Sequence, residues 1–400
     1  MRQLAEAAPL ADGSRLLHIG MPKAGSTALQ GALHAARPRL TDHGVRFAGR
    51  GRHPFRAAAA AIGKTPPTGR RGNPSREWAR LATELRTCPE RLAVLSSETL
   101  SRADAEHARQ IVDSIGGDDR PVHVVAVARP LALVLPSYWQ QSVRNRTLPS
   151  FAEWLDQAIA VPPQRLAASG FARRFDLADL VQTWGKAVGE DNLTLVVLDP
   201  ADRSHLLTTF ERLLGLPHGT LEPQSRLTNQ SLPYAEAELL RLINQRYVAG
   251  GGSLEEWAER IAPWVKPRVR DLRPPGPADR IRPPRWAVEA VNELTLPWID
   301  AVRGSGITVV GDLDDLLADP ATYDDVAGAP DVVPLATAAE IAYHFYGAGV
   351  NQRRSQPAPA PAKAAPEARL PRPGPTVAET PARELVREVG RRAVRRLRRR

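Results

Sequence analysis

The chain has 400 residues, 42% of them hydrophobic, enough to bury one large core with an appendage. Its single cysteine, Cys88, excludes an intramolecular disulfide framework and points to a reducing compartment. The formal charge of +10 does not describe a nucleic-acid binder, because residues 351–400 hold 14 Lys/Arg against 4 Asp/Glu and so carry the whole excess.

The first fifteen residues are mixed and charged, and no stretch has the length of a leader or a membrane span, so a cytoplasmic protein is expected. Residues 16–19 then form a short apolar strand, followed by the loop Gly20-Met21-Pro22-Lys23-Ala24-Gly25-Ser26-Thr27. Ala28, Leu29, Ala32, Leu33 and Ala36 recur at helical spacing after it. Gly25, Ser26, Thr27 and the Ala28 amide therefore stand at a helix N-terminus, where unpaired amides and the helix dipole attract phosphate. A Walker A loop carries Lys after its last glycine, whereas Lys23 precedes Gly25. The chain has 49 Arg and only 5 Lys, so a lysine at this place is itself a signal. His18 belongs to the strand and reads as a hydrogen-bonded core histidine.

His53 follows the segment Gly44-Val45-Arg46-Phe47 and opens a helix-like run over 54–59, a place that faces it toward the cleft. Residues 64–76, rich in Pro, Gly and basic side chains, read as a mobile loop that closes over a ligand. Residues 92–95 are another strand, with Ser96-Ser97-Glu98 at its carboxyl end, the edge where α/β folds collect their chemistry. Glu98 and His53 are both candidate proton acceptors; a capping carboxylate near Ser101 and a surface histidine at a helix start are the structural alternatives.

Residues 122–128 form a valine-rich run fit for a strand buried on both faces, and it ends in Arg129-Pro130. Ser137 follows Pro136, where a helix is expected to start or kink. The guanidinium fork and the hydroxyl both suit a phosphate. Tyr138 and Trp139 read as core aromatics, with lining of a ligand pocket as the alternative.

These two motifs resemble the donor-binding elements of the sulfotransferases that use 3′-phosphoadenosine 5′-phosphosulfate, and the likeness extends weakly over residues 15–345. The resemblance implies a three-layer, P-loop-like α/β fold with a central parallel sheet. It implies that Lys23, Gly25, Ser26, Thr27 and Ala28 hold the 5′-phosphosulfate, and that Arg129 and Ser137 hold the 3′-phosphate. Lys23 would then meet charge on the bridging oxygen, while Glu98 or His53 accepts a proton from a glycan, glycolipid or small-metabolite hydroxyl or amine. An atypical P-loop kinase and a non-catalytic nucleotide- or lipid-binding protein are the alternatives.

Further on, residues 175–188 read as a helix, 193–198 as a strand, 206–214 as a helix, 307–312 as a short strand and 313–317 as a helix. Asn229-Gln230-Ser231 caps a helix beginning near Tyr234, or touches nucleotide. No Cys/His cluster has metal-ligand spacing, so no metal is expected. Residues 1–350 are thus expected to form the α/β domain and 351–381 a disordered Pro/Ala-rich linker. Residues 382–400 are expected to form a basic helix with Leu385, Val389, Ala393 and Leu397 four apart and nine arginines around them, suited to an anionic membrane's inner face.

Overall fold

The computed structural model describes residues 7–343, apart from residues 67–71, 117–119, 203, 225–230, 258–275, 277–278, 327, 329, 331, 336–337 and 340. They belong to one unit, residues 1–346. The expected linker and basic tail helix lie outside the described residues, as do Asn229 and Gln230.

Six parallel strands form one sheet: β1 (Arg15–His18), β2 (Val45–Phe47), β3 (Leu92–Ser96), β4 (Val122–Ala128), β5 (Leu193–Val197) and β6 (Thr308–Val310), in spatial order β2-β3-β1-β4-β5-β6. The central strands are almost wholly buried, which is why they read as unbroken apolar runs: Leu16, Leu17, Val124, Val125, Leu195 and Val196 are all in the core. Helices flank the sheet. They include α1 (Ser26–Ala35), α2 (Arg37–Asp42), α3 (Phe55–Ala61), α4 (Pro74–Thr87), α5 (Ala105–Ile115) and α6 (Leu131–Arg144). The helices Leu177–Val188 and Arg285–Arg303 pack in succession beyond α5, whereas α1 packs on α2 and His205–Leu213. The expected three-layer α/β fold is therefore present.

The order of strands sets the site. The connection after β1 runs outward to β2, and that after β4 runs the other way to β5, so a crevice opens at the carboxyl ends of β1 and β4. Backbone pairing continues past β1, with Ile19 N–H donating to the Val125 carbonyl and Met21 N–H to that of Val127. The loop at residues 19–25 is thereby held beside the end of β4.

The structure refines four local expectations. Of the two places expected for Pro136, the start of a helix is excluded and the interior is found: α6 already begins behind Pro130, whose fixed φ suits an N-cap. Residues 74–76 are the first turn of α4 rather than loop: Asn73 Oδ1 accepts from the N–H groups of Ser75 and Arg76, and Pro74 stands where no amide is needed. The helix expected over residues 175–188 is present as Leu177–Val188, starting two residues later because Asp176 caps it through the Asp179 N–H, while Phe175 ends the preceding helix, Gly170–Phe175. Residues Leu313–Leu316 form a 3₁₀ turn capped by Asp312, too short for an α-helix. Among the described residues, no helix is long and apolar enough to cross a membrane.

Candidate functional site

The loop after β1 is built around two left-handed residues, Lys23 at φ 70° and Gly25 at φ 87°. Glycine is required at residue 25 twice over, because a Cβ there would also meet the Leu206 side chain at 2.8 Å. Lys23 adopts the same region as a non-glycine residue, at a cost of about 1–2 kcal/mol. Gly20 is needed for a different reason: a Cβ there would stand 2.6 Å from His18 Nε2 and 3.2 Å from Ser26 Oγ.

The head of α1 is uncapped. Gly25 offers no side-chain acceptor and the first turn carries no acidic residue, so the helix's positive end is not neutralised. Ser26 is buried, and its hydroxyl has no hydrogen-bond partner among the described residues. A buried orphan hydroxyl costs stability and fits an anion that it can hydrogen-bond. The Ala28 amide, an expected anion donor, already donates to the Gly25 carbonyl at 2.9 Å; anion contacts therefore fall to the residues before it.

Three cations converge here. Burial pulls the Lys23 ammonium down to about 8, and the charges of Arg144 and then Arg129 push it further, against the Glu98 carboxylate. Arg129 follows the last residue of β4, and one of its terminal nitrogens donates to the Leu133 carbonyl at 2.7 Å and to Ser137 Oγ at 3.2 Å. Ser137 Oγ in turn donates to the Val134 carbonyl at 2.9 Å. Arg129 and Ser137 are thus one joined unit, and Arg129 Nε is buried without a partner among the described residues. Burial also lowers the Arg129 pKa, to about 10, which leaves it cationic at neutral pH. An oligo-anionic ligand relieves all of these costs, so the residues fit a phosphate-rich donor.

Beside the cations lies a polar cluster at the ends of β1 and β3. His18 pairs in register with Ser96, and its Nδ1 is 2.7 Å from Ser96 Oγ. His18 is wholly buried and its pKa falls to about 4, mainly by desolvation, so it is a neutral core imidazole as expected. Glu98 opens a 3₁₀ turn; its Oε2 accepts from Gln30 Nε2 of α1 at 2.9 Å and lies 3.5 Å from His53 Nε2. That same imidazole nitrogen is 2.9 Å from Ser97 Oγ. The two candidate proton acceptors are therefore neighbours in one cluster, neither a lone cap nor a lone surface group. The Ser101 hydroxyl donates to the Glu98 carbonyl, leaving the carboxylate to Gln30 and His53.

The aromatic expectation divides. Trp139 is core, its indole N–H donating to the Pro149 carbonyl at 3.2 Å. Tyr138 is half-buried among Trp154, Phe171 and Phe175, with the Arg174 guanidinium over its ring.

Sequence reasoning missed Gln30 and Arg144. Gln30 interrupts the apolar stripe of α1 one turn after Ser26 and is buried, and that break in the pattern was its one signal. Arg144 is the last residue of α6, fourteen residues long, and its charge acts on Lys23 from that end of the helix.

No family model matches the chain, and no curated protein matches it. Among solved structures, the signal recognition particle 54 kDa protein from Aeropyrum pernix K1 in complex with GDP aligns at 13% identity over 88% of this chain and 80% of that chain. Its TM-score is 0.25, a similarity at which neither fold nor function transfers.

Proposed function

We propose that this chain is a sulfotransferase that takes a sulfuryl group from 3′-phosphoadenosine 5′-phosphosulfate and places it on an acceptor hydroxyl. The observation that carries the reading is the pairing of two unlike half-sites: Lys23, two residues before the uncapped head of α1 and within the fields of Arg144 and Arg129, and the Glu98–His53 pair, whose carboxylate also acts on Lys23. The first suits a donor with several negative charges, the second an acceptor that must lose a proton.

In this mechanism Gly25, Ser26 and Thr27 hold the 5′-phosphate, and the joined Arg129–Ser137 unit holds the 3′-phosphate. The bound donor supplies an activated sulfuryl group whose sulfur–oxygen bond to the phosphate breaks as the acceptor oxygen bonds to sulfur. Lys23, set ahead of the turn, stabilises the charge left on the bridging oxygen. His53 or Glu98 receives the acceptor's proton, and Gln30 holds the carboxylate in place for either role. Held reactants and preorganised cations lower the barrier by position and field, as in phosphoryl transfer.

The test is calorimetric titration of 3′-phosphoadenosine 5′-phosphate into wild type and Arg129→Ala, with AMP and ATP as controls. Tight binding that weakens in the variant by about tenfold or more, with AMP weak in both, is expected. No binding, or a preference for ATP, overturns the reading in favour of a kinase or a binding protein.

A further inference from the structure

His53 has a second side. Away from Glu98 it lines a cavity of about 820 Å³ between the segment after β2 and the helices α3 and α4. The imidazole that belongs to the proposed proton-accepting pair is thus also part of this cavity's wall.

The wall's charges are unevenly satisfied. Its two carboxylates are engaged by the protein: Glu84 accepts from the Gly49 N–H at 3.1 Å and pairs with Arg46 at 3.2 Å, and Glu77 lies 3.6 Å from Arg56. Arg56 also donates to the Gly72 carbonyl at 2.9 Å. Arg50 and Arg80 line the same cavity, are exposed, and form no ion pair among the described residues. The cavity therefore presents two uncommitted guanidinium groups. It also presents the Phe55 ring, 44% exposed and set edge-on to His53 at 5.9 Å between centroids. An exposed ring offers a stacking face for the apolar side of a sugar, and a guanidinium in the same wall suits a carboxylate or an ester anion on it.

Resting on the sulfotransferase reading, we propose that this cavity is the acceptor subsite and that it selects a hydroxyl-bearing acceptor with its own negative charge, an acidic sugar, through Arg50 and Arg80. The acceptor's anion stays at the Arg50 and Arg80 end, and its reacting hydroxyl faces His53.

The test uses direct binding, so that it does not depend on turnover. A disaccharide ending in glucuronate, and the same disaccharide as its uncharged methyl ester, are titrated by calorimetry into wild type, Arg50→Gln/Arg80→Gln and Arg80→Glu. Thermal unfolding of each variant accompanies the titrations. The acid is expected to bind wild type about tenfold or more tightly than the ester, the double variant to lose that preference, and Arg80→Glu to reverse it. Equal binding of the two forms, binding of neither, or a preference that survives in the double variant overturns the proposal. A parallel titration with 3′-phosphoadenosine 5′-phosphate separates the two readings: its failure, with the acid preference intact, overturns the donor assignment and leaves the anion-selective cavity standing.

Discussion

Replacing Lys23 by Met is expected to make the folded protein more stable at neutral pH while weakening its hold on the donor. The ammonium is drawn from 10.5 to about 8 by burial and by Arg144 and Arg129. At about 1.4 kcal/mol per unit, the folded state carries about 3 kcal/mol for keeping this group charged; solvent reaching a half-buried ammonium reduces that to about 1–3 kcal/mol. Below pH 8 both folded and unfolded chains hold the proton, so the cost is present in full. Between 8 and 10.5 the folded chain sheds the proton while the unfolded chain keeps it, and the cost tapers to nothing. Met removes the charged atom but keeps the rest of the unbranched side chain's length and the strained φ, so the comparison bears chiefly on the electrostatics. Urea unfolding of both proteins from pH 6.5 to 10.5 should show the variant ahead by about 1–3 kcal/mol at pH 7, with the gap closing above pH 8. Affinity for 3′-phosphoadenosine 5′-phosphate should fall at pH 7 by about tenfold or more. A variant that is less stable at pH 7, by an amount that does not change with pH, refutes the reasoning.

Glu98→Gln and His53→Ala should each lower turnover by about 10²–10⁴-fold while leaving bisphosphate affinity unchanged; a double variant no slower than the worse single one marks them as one unit. Full activity in both single variants removes the pair from the chemistry. Gly20→Ala should destabilise the fold by about 1–3 kcal/mol, because its Cβ would stand 2.6 Å from a wholly buried His18 ring, and a denaturation midpoint equal to wild type would contradict that packing.

The loop-and-cation half of the candidate site was legible because its parts are local. A strand buried on both faces reads as an unbroken apolar run, a helix start as the onset of 3.6-residue spacing, and the loop between them is continuous in sequence, so Lys23, Gly25 and Ser26 could be named together. Arg129 was legible in the same way, as the first polar residue after the β4 run. The sequence by itself thus determined the strand–loop–helix unit, the cation at the end of β4 and the alternation of strands and helices, while the parallel three-layer class came from the family resemblance. The Glu98–His53 half was not legible as a unit. His53 and Ser97 are 44 positions apart, and Gln30 and Glu98 are 68 apart. They meet because β3 lies between β2 and β1 in the sheet. No periodicity encodes that order, which follows from how the amphipathic helices pack across the strands. The same tertiary packing turned two rival candidate residues into neighbours, committed the Ala28 amide to the helix and put Lys23 in the field of Arg144 at the far end of α6. It also left Arg50 and Arg80 without an ion pair among the described residues in the cavity that His53 lines, since the carboxylates of that wall were already taken by groups that only the fold brings near.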